Sequence, residues 1–107
     1  MQLDIKGTEL EITQELRTYA EKRLEPLWRF VKRYETNGET HMFVEIARTT
    51  KHHKKGNVFY AEATMALPKA VLRAEAEAPD SRAAIDTLKD ILKREMKKYK
   101  EKNLWKT

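Results

Sequence analysis

At 107 residues the chain has room for one domain with a real apolar core, and with no Cys it can hold neither a disulfide nor a thiolate metal site. Its formal net charge of +5 sits on a composition 36% charged and 40% hydrophobic, and the apolar residues recur periodically, which excludes a disordered polyelectrolyte. No stretch approaches the ~20 apolar residues of a membrane span, and the first six residues lack the apolar run of a signal peptide, so a soluble cytoplasmic protein is expected.

Leu3 and Ile5 alternate with Gln2, Asp4 and Lys6, the period of a short strand with one buried face, closed at Gly7. Thr13 is placed to cap a following helix, in which Leu16, Tyr19, Ala20, Leu24, Leu27, Phe30, Val31 and Tyr34 recur at steps of three and four. Pro26 interrupts this stripe by removing an N–H and crowding the carbonyl of Lys22. Because the stripe continues past it, a kink is expected rather than an end. After a polar connection with Asn37-Gly38 the period changes to two, with Met42, Val44 and Ile46 on one side and His41, Phe43 and Glu45 on the other. A loop from Lys51 to Lys55 leads into a strand with Phe59, Ala61, Ala63, Met65 and Leu67 inward. Pro68-Lys69 forms a turn, and Leu72, Ala74, Ala76 and Ala78 then face in while Arg73, Glu75 and Glu77 face out. Pro79-Asp80 stops the sheet. Asp80 is an N-cap for a helix to about Lys102, cored by Ala84, Leu88, Ile91, Leu92, Met96 and Tyr99.

The order is therefore β-α-β-β-β-α, an α+β fold in one domain over residues 1–102, with a short tail over 103–107. A right-handed crossover makes the second strand parallel to the first, and two hairpins complete a four-stranded mixed sheet. Clean alternation in the strands means that one sheet face is covered, so both helices lie on it, side by side and parallel. Their C-terminal ends are then neighbours, which draws Arg29, Lys32 and Arg33 towards the end of the second helix.

That end is strongly basic. Lys93, Arg94, Lys97, Lys98, Lys100, Lys102 and Lys106 stand against only Glu95 and Glu101, a local excess equal to the formal charge of the entire chain. Such a concentration meets phosphate, an anionic membrane or an acidic protein. Helical geometry divides these cations into two rows: Arg94, Lys98 and Lys102 on one flank, and Lys89, Lys93, Lys97 and Lys100, with Arg82 above them, on the other. On the first helix Arg23 falls within the apolar arc, while Lys22, Arg29 and Arg33 form an outward row. With the Arg94 row bordering the groove between the helices, Arg23, Arg94 and Lys98 would converge there. Each cation alone is what any solvated helix face carries, and Arg23 could simply lie along the apolar stripe. As a patch, like charges four apart weaken the helix unless an anion is present. The candidate RNA-binding set is Lys22, Arg23, Arg29, Arg33, Lys89, Lys93, Arg94, Lys97, Lys98, Lys100 and Lys102.

Other chemistry is thinly represented. His52 and His53 are adjacent, with no Cys or carboxylate close in sequence, so no metal or cofactor is expected. The lone Ser81 sits at a helix start, and three Gly residues build no phosphate cradle, so no enzyme is expected. Glu45, Glu62, Glu75 and Glu77 belong on the open sheet face, a negative surface that turns away from RNA. A sheet carrying only Tyr60 and Phe43 lacks the aromatic platform of an RNA recognition motif. The Lys51–Lys55 loop lies at the opposite end of the sheet as a possible second RNA contact or a solvated hairpin.

In combination, Met1-Gln2-Leu3-Asp4-Ile5-Lys6-Gly7, Glu11-Ile12-Thr13 with Leu16-Arg17, Ala74-Glu75-Ala76-Glu77, Asp80 with Ala83-Ala84-Ile85-Asp86, Arg94, and Lys98-Tyr99-Lys100-Glu101-Lys102 resemble the ribosome hibernation-promoting factor family, including the ribosome-associated inhibitor. The resemblance covers nearly the whole chain in order. It implies a β-α-β-β-β-α protein that binds the small ribosomal subunit and its rRNA, in the channel where messenger RNA and the A- and P-site transfer RNAs would sit, and so stops translation. No small-molecule substrate is implied, and the free protein is expected to be a monomer. The end of the chain soon after the second helix is similar to the short form of the family. Where relatives commonly have Lys in the second helix this chain has Ile91, Arg82 stands at a commonly aromatic position, and the turn between the third and fourth strands lacks the usual Gly. Two other readings compete: a general double-stranded RNA-binding module, and a protein-interaction adaptor whose basic patch meets an acidic partner.

Overall fold

The structure, a computed structural model, describes residues 1–35, 40–49 and 58–104. The expectations for Asn37-Gly38, for the Lys51–Lys55 loop with its two His residues, and for Trp105 lie outside the described residues. The elements are β1 (Gln2–Thr8), α1 (Gln14–Leu24), two 3₁₀ turns (Glu25–Phe30 and Lys32–Tyr34), β2 (His41–Arg48), β3 (Phe59–Leu67), β4 (Ala70–Ala78) and α2 (Ser81–Leu104).

The four strands form one sheet in the order β1-β2-β3-β4, with β1 parallel to β2 and the remaining pairs antiparallel. Alternation in the sequence translates directly into burial. Met42, Val44 and Ile46 of β2, Ala61, Ala63, Met65 and Leu67 of β3, and Leu72, Ala74, Ala76 and Ala78 of β4 all lie in the core. The small inward residues of β3 and β4 let α2 settle close, and α2 packs chiefly on β4 and then on β3. From α2 this core receives Ala84, Ile85, Leu88, Leu92, Met96 and Tyr99. Each large aliphatic side chain so buried contributes about 1.5–3 kcal/mol relative to exposure. Ile85 joins the expected stripe, whereas Ile91 is only partly covered.

Both caps form as expected. The Leu16 amide donates to Thr13 Oγ1 at 3.1 Å, and the Ala83 amide donates to Asp80 Oδ1 at 2.8 Å. The first helix departs from its expected form. Instead of one kinked α-helix reaching Tyr34, α1 ends at Leu24 and the chain continues as 3₁₀ turns, with Pro26 in the first of them. Pro26 cannot donate the α-type bond to Lys22, and the backbone answers by tightening to the i→i+3 pattern. Leu27 and Val31 remain buried, so the apolar stripe survives the change of helix type.

α1 and α2 run parallel, as three successive contacts show. Tyr19 meets Asp86, Phe30 meets Lys93, and the rings of Tyr34 and Tyr99 pack edge to face with centroids 5.0 Å apart. The Tyr99 hydroxyl also donates to the Pro68 carbonyl at 2.8 Å, tying the end of α2 to the β3–β4 turn. Burial, and then the neighbouring Tyr34, push the pKa of that hydroxyl up.

Candidate nucleic-acid interface

The open face of the sheet is acidic. Lys6, Glu45, Glu62 and Glu75 stand directly beside one another across the four strands, and Glu77 pairs with Tyr60. Like charges in direct opposition repel, and hydroxyls offset part of this. Thr8 donates to Glu45, and Tyr60 donates to Glu62 at 2.8 Å. Burial raises the Tyr60 pKa, with the hydrogen bond to Glu62 adding in the same direction. Phe43 is 56% exposed on this face and stacks on His41 with centroids 5.8 Å apart. One exposed ring beside a run of carboxylates is not a base-stacking platform.

The positive charge lies on the opposite side of the molecule, where a groove of about 220 Å³ runs between α1 with its first 3₁₀ turn and α2. Five cations line it: Lys22, Arg23 and Arg29 from the first helical segment, Lys89 and Lys93 from α2. Pro26, Leu27 and Phe30 supply its apolar surface. Among the described residues, no carboxylate lies within ion-pair distance of Lys22, Arg29 or Lys93. Lys89 has Asp90 at 3.7 Å, an exposed pair of little energetic weight.

Arg23 is held in place at the head of the groove. Its Nη2 donates to the Tyr19 hydroxyl at 3.2 Å and its Nε lies 3.3 Å from Asp86 Oδ1, while the same hydroxyl is 2.8 Å from that carboxylate. The Tyr19 contact comes first among the causes that raise the Arg23 pKa, with Asp86 adding to it, so a permanent charge is held more firmly. The Arg23 and Arg82 guanidiniums lie 4.7 and 5.0 Å from the Tyr19 ring centroid. Arg29 and Lys93 are likewise 5.2 and 5.9 Å from the ring of Phe30. Cation–π contacts of this kind fix where a long side chain puts its charge.

The row of α2 that faces the groove is the one containing Lys89 and Lys93. Helical spacing then sets Arg94, Lys98 and Lys102 on the flank turned away from α1, so the anticipated meeting of Arg23 with Arg94 and Lys98 does not occur. Lys98 instead pairs with Glu95 at 3.3 Å. Lys97 and Lys100 continue the groove-facing row towards the end of α2, Lys97 exposed and Lys100 partly covered. Arg33 lies over the Tyr34 ring at 5.6 Å, beyond the groove. Lys22 and Arg29, expected on an outward row, both line the groove, and Lys22 does so from α1 itself, ahead of the 3₁₀ turn, so that row looks across at α2. The Tyr19–Asp86 clasp and the Phe30 wall were not among the candidates, nor was Lys32, which lies 5.7 Å from the Trp28 ring. Asp86, an isolated acid in a basic row opposite Arg23, was the available signal for the first.

A β-α-β-β-β-α domain with an acidic sheet face and a cationic groove between parallel helices defines a class of α+β domain whose helical face is suited to an anionic partner. Comparison with known proteins narrows it further. The chain belongs to the Sigma 54 modulation protein / S30EA ribosomal protein family, whose sequence pattern it matches over residues 3–103. It is 40% identical over 104 residues to the ribosome hibernation promoting factor of Pseudomonas putida, an alignment spanning 95% of this chain and 89% of that protein. To the ribosome hibernation promotion factor of Picosynechococcus sp. it is 33% identical over 107 residues, covering 99% of this chain but only 52% of the relative. The N-terminal domain of Thermus thermophilus Protein Y superposes with a TM-score of 0.70 at 33% identity, over 92% of this chain and 99% of that one. A ribosomal subunit interface protein from Coxiella burnetii shares the fold, with a TM-score of 0.72 at 22% identity, over 94% and 99% of the two chains.

Proposed function

We propose that this protein is a ribosome hibernation factor that binds the small ribosomal subunit through the α1–α2 face and occupies the channel for messenger RNA and the A- and P-site transfer RNAs. Translation stops because the channel is filled, without chemistry. The observation that carries the reading is the convergence of Lys22, Arg23 and Arg29 with Lys89 and Lys93 in one groove, contributed by segments far apart in sequence. Family membership supports the ribosome as the source of the phosphate, and a protein that works on ribosomes acts in the cytoplasm. The acidic sheet supports the orientation, since facing it to RNA would set carboxylates against phosphates. The free protein acts as a monomer.

Binding driven by counterion release has a measurable signature. The logarithm of affinity for purified small subunits falls linearly with the logarithm of salt, by ~0.7–0.9 per phosphate neutralised. Lys89→Gln with Lys93→Gln reduces that slope by about 1.5 and weakens translation inhibition in parallel. A salt-independent affinity, or full competition by an isolated RNA duplex, overturns the reading in favour of an acidic protein partner or a general duplex binder respectively.

A further inference from the structure

Phosphate recognition needs only cations and N–H donors, yet a large part of the groove wall is apolar. Pro26, Leu27 and Phe30 face the same concavity as the five cations. Leu27 is fully committed to the core, whereas Phe30 is only partly covered and leaves ring surface open to the groove. At about 220 Å³ the concavity is smaller than the ~300–1,000 Å³ of sites for drug-sized molecules. It has room for one planar ring system.

Resting on the reading of this groove as an RNA contact, we propose that it receives a single unpaired RNA nucleotide, whose base packs on the Phe30–Pro26 wall and whose phosphates meet the rim of Lys22, Arg29, Lys89 and Lys93. A continuous A-form duplex fits poorly, because its bases are stacked inward and it offers only backbone and 2′-hydroxyls to the protein. An unstacked nucleotide brings both chemistries at once: an apolar face for the wall and an anion for the rim. The cations over Phe30 do not fill the concavity. Arg29 and Lys93 lie near the ring at 5.2 and 5.9 Å and set positive charge where the nucleotide backbone enters.

The two contributions separate by salt dependence. A labelled single-stranded hexanucleotide, a blunt duplex of equal charge and adenosine monophosphate are titrated into the wild-type protein at several salt concentrations. The single strand binds more tightly than the duplex at every salt, and the mononucleotide binds weakly because it reaches only part of the rim. Phe30→Leu, which keeps apolar bulk but removes the ring, lowers hexanucleotide affinity by roughly fivefold to 100-fold with an unchanged salt slope. Phe30→Tyr retains the affinity, and Lys93→Gln lowers the slope by about 0.7. Equal or tighter binding of the duplex, or a mononucleotide that binds as well as the hexamer, overturns the proposal on the wild-type protein alone, and so does a folded Phe30→Leu protein of full affinity. Small-subunit binding is measured in the same buffers. Wild-type protein that binds subunits but not the single strand sinks this inference and leaves the hibernation reading standing, and the reverse pattern does the opposite.

Discussion

Lys69 holds a left-handed backbone conformation, φ 64°, at the β3–β4 turn. A side chain there costs roughly 1–2 kcal/mol against the preceding carbonyl geometry, and Gly removes the cost. Part of the gain is cancelled by the greater freedom of Gly in the unfolded chain. Lys69→Gly therefore stabilises the protein by up to about 1 kcal/mol, raising the melting temperature by ~4–8 °C per kcal/mol for a domain near this size. A lower melting temperature would contradict this account of the turn. Glu35 offers a second test. It accepts the Trp28 indole N–H on one oxygen and the Thr40 amide at 3.3 Å on the other, fastening the second 3₁₀ turn to the start of β2. The Trp28 bond leads the causes that hold its carboxyl below the ordinary value of 4.5. A carboxylate with a depressed folded pKa contributes stability above its unfolded pKa and loses it as pH falls through the folded value. Glu35→Gln is accordingly less stable than wild type at neutral pH, and the gap in urea melts closes as the medium is acidified below about 4.5.

Among the elements, the end of β1 packs tightly against the segment that leads into α1. A Cβ on Gly7 would stand 2.2 Å from the Leu10 carbonyl oxygen and 2.9 Å from Ile12 Cγ1. The first of these is backbone and cannot swing away, so Gly7→Ala costs at least the ~1–3 kcal/mol of an overpacked site, seen as an earlier denaturation midpoint. The other elements are largely legible in the amino-acid sequence. Periods of two and of three to four mark every strand and helix, and Thr13 and Asp80 cap where their side-chain oxygens predict. The segment after Pro26 is not legible in detail. Its apolar spacing suits an α-helix and a 3₁₀ turn almost equally, and Leu27 and Val31 are buried although the backbone has changed helix type.

For the whole molecule the deciding question is which cations share a surface. With Lys89 and Lys93 in the groove and Arg94 and Lys98 on the far flank of α2, charge neutralisation at the two pairs separates the roles of the rows. Arg94→Gln with Lys98→Gln weakens small-subunit binding less than Lys89→Gln with Lys93→Gln does, although each removes two positive charges. Equal losses would mean that the field of the whole basic end, rather than the groove, carries the affinity, and comparing the two salt slopes checks this.

Local pattern by itself determined the α+β order, the identity of most core residues and the polarity of the sheet face, because burial on a strand or helix follows from a repeat that the chain carries within a dozen residues. The family likeness was also legible there. Only the tertiary structure decided which flank of α2 looks across at α1. That choice depends on the rotation of one helix against another, fixed by Ala residues of β3 and β4 beneath α2 and by Tyr19, Arg23 and Asp86 meeting across the crossing. A rotation of this kind leaves every apolar repeat intact while exchanging the cations that face the groove.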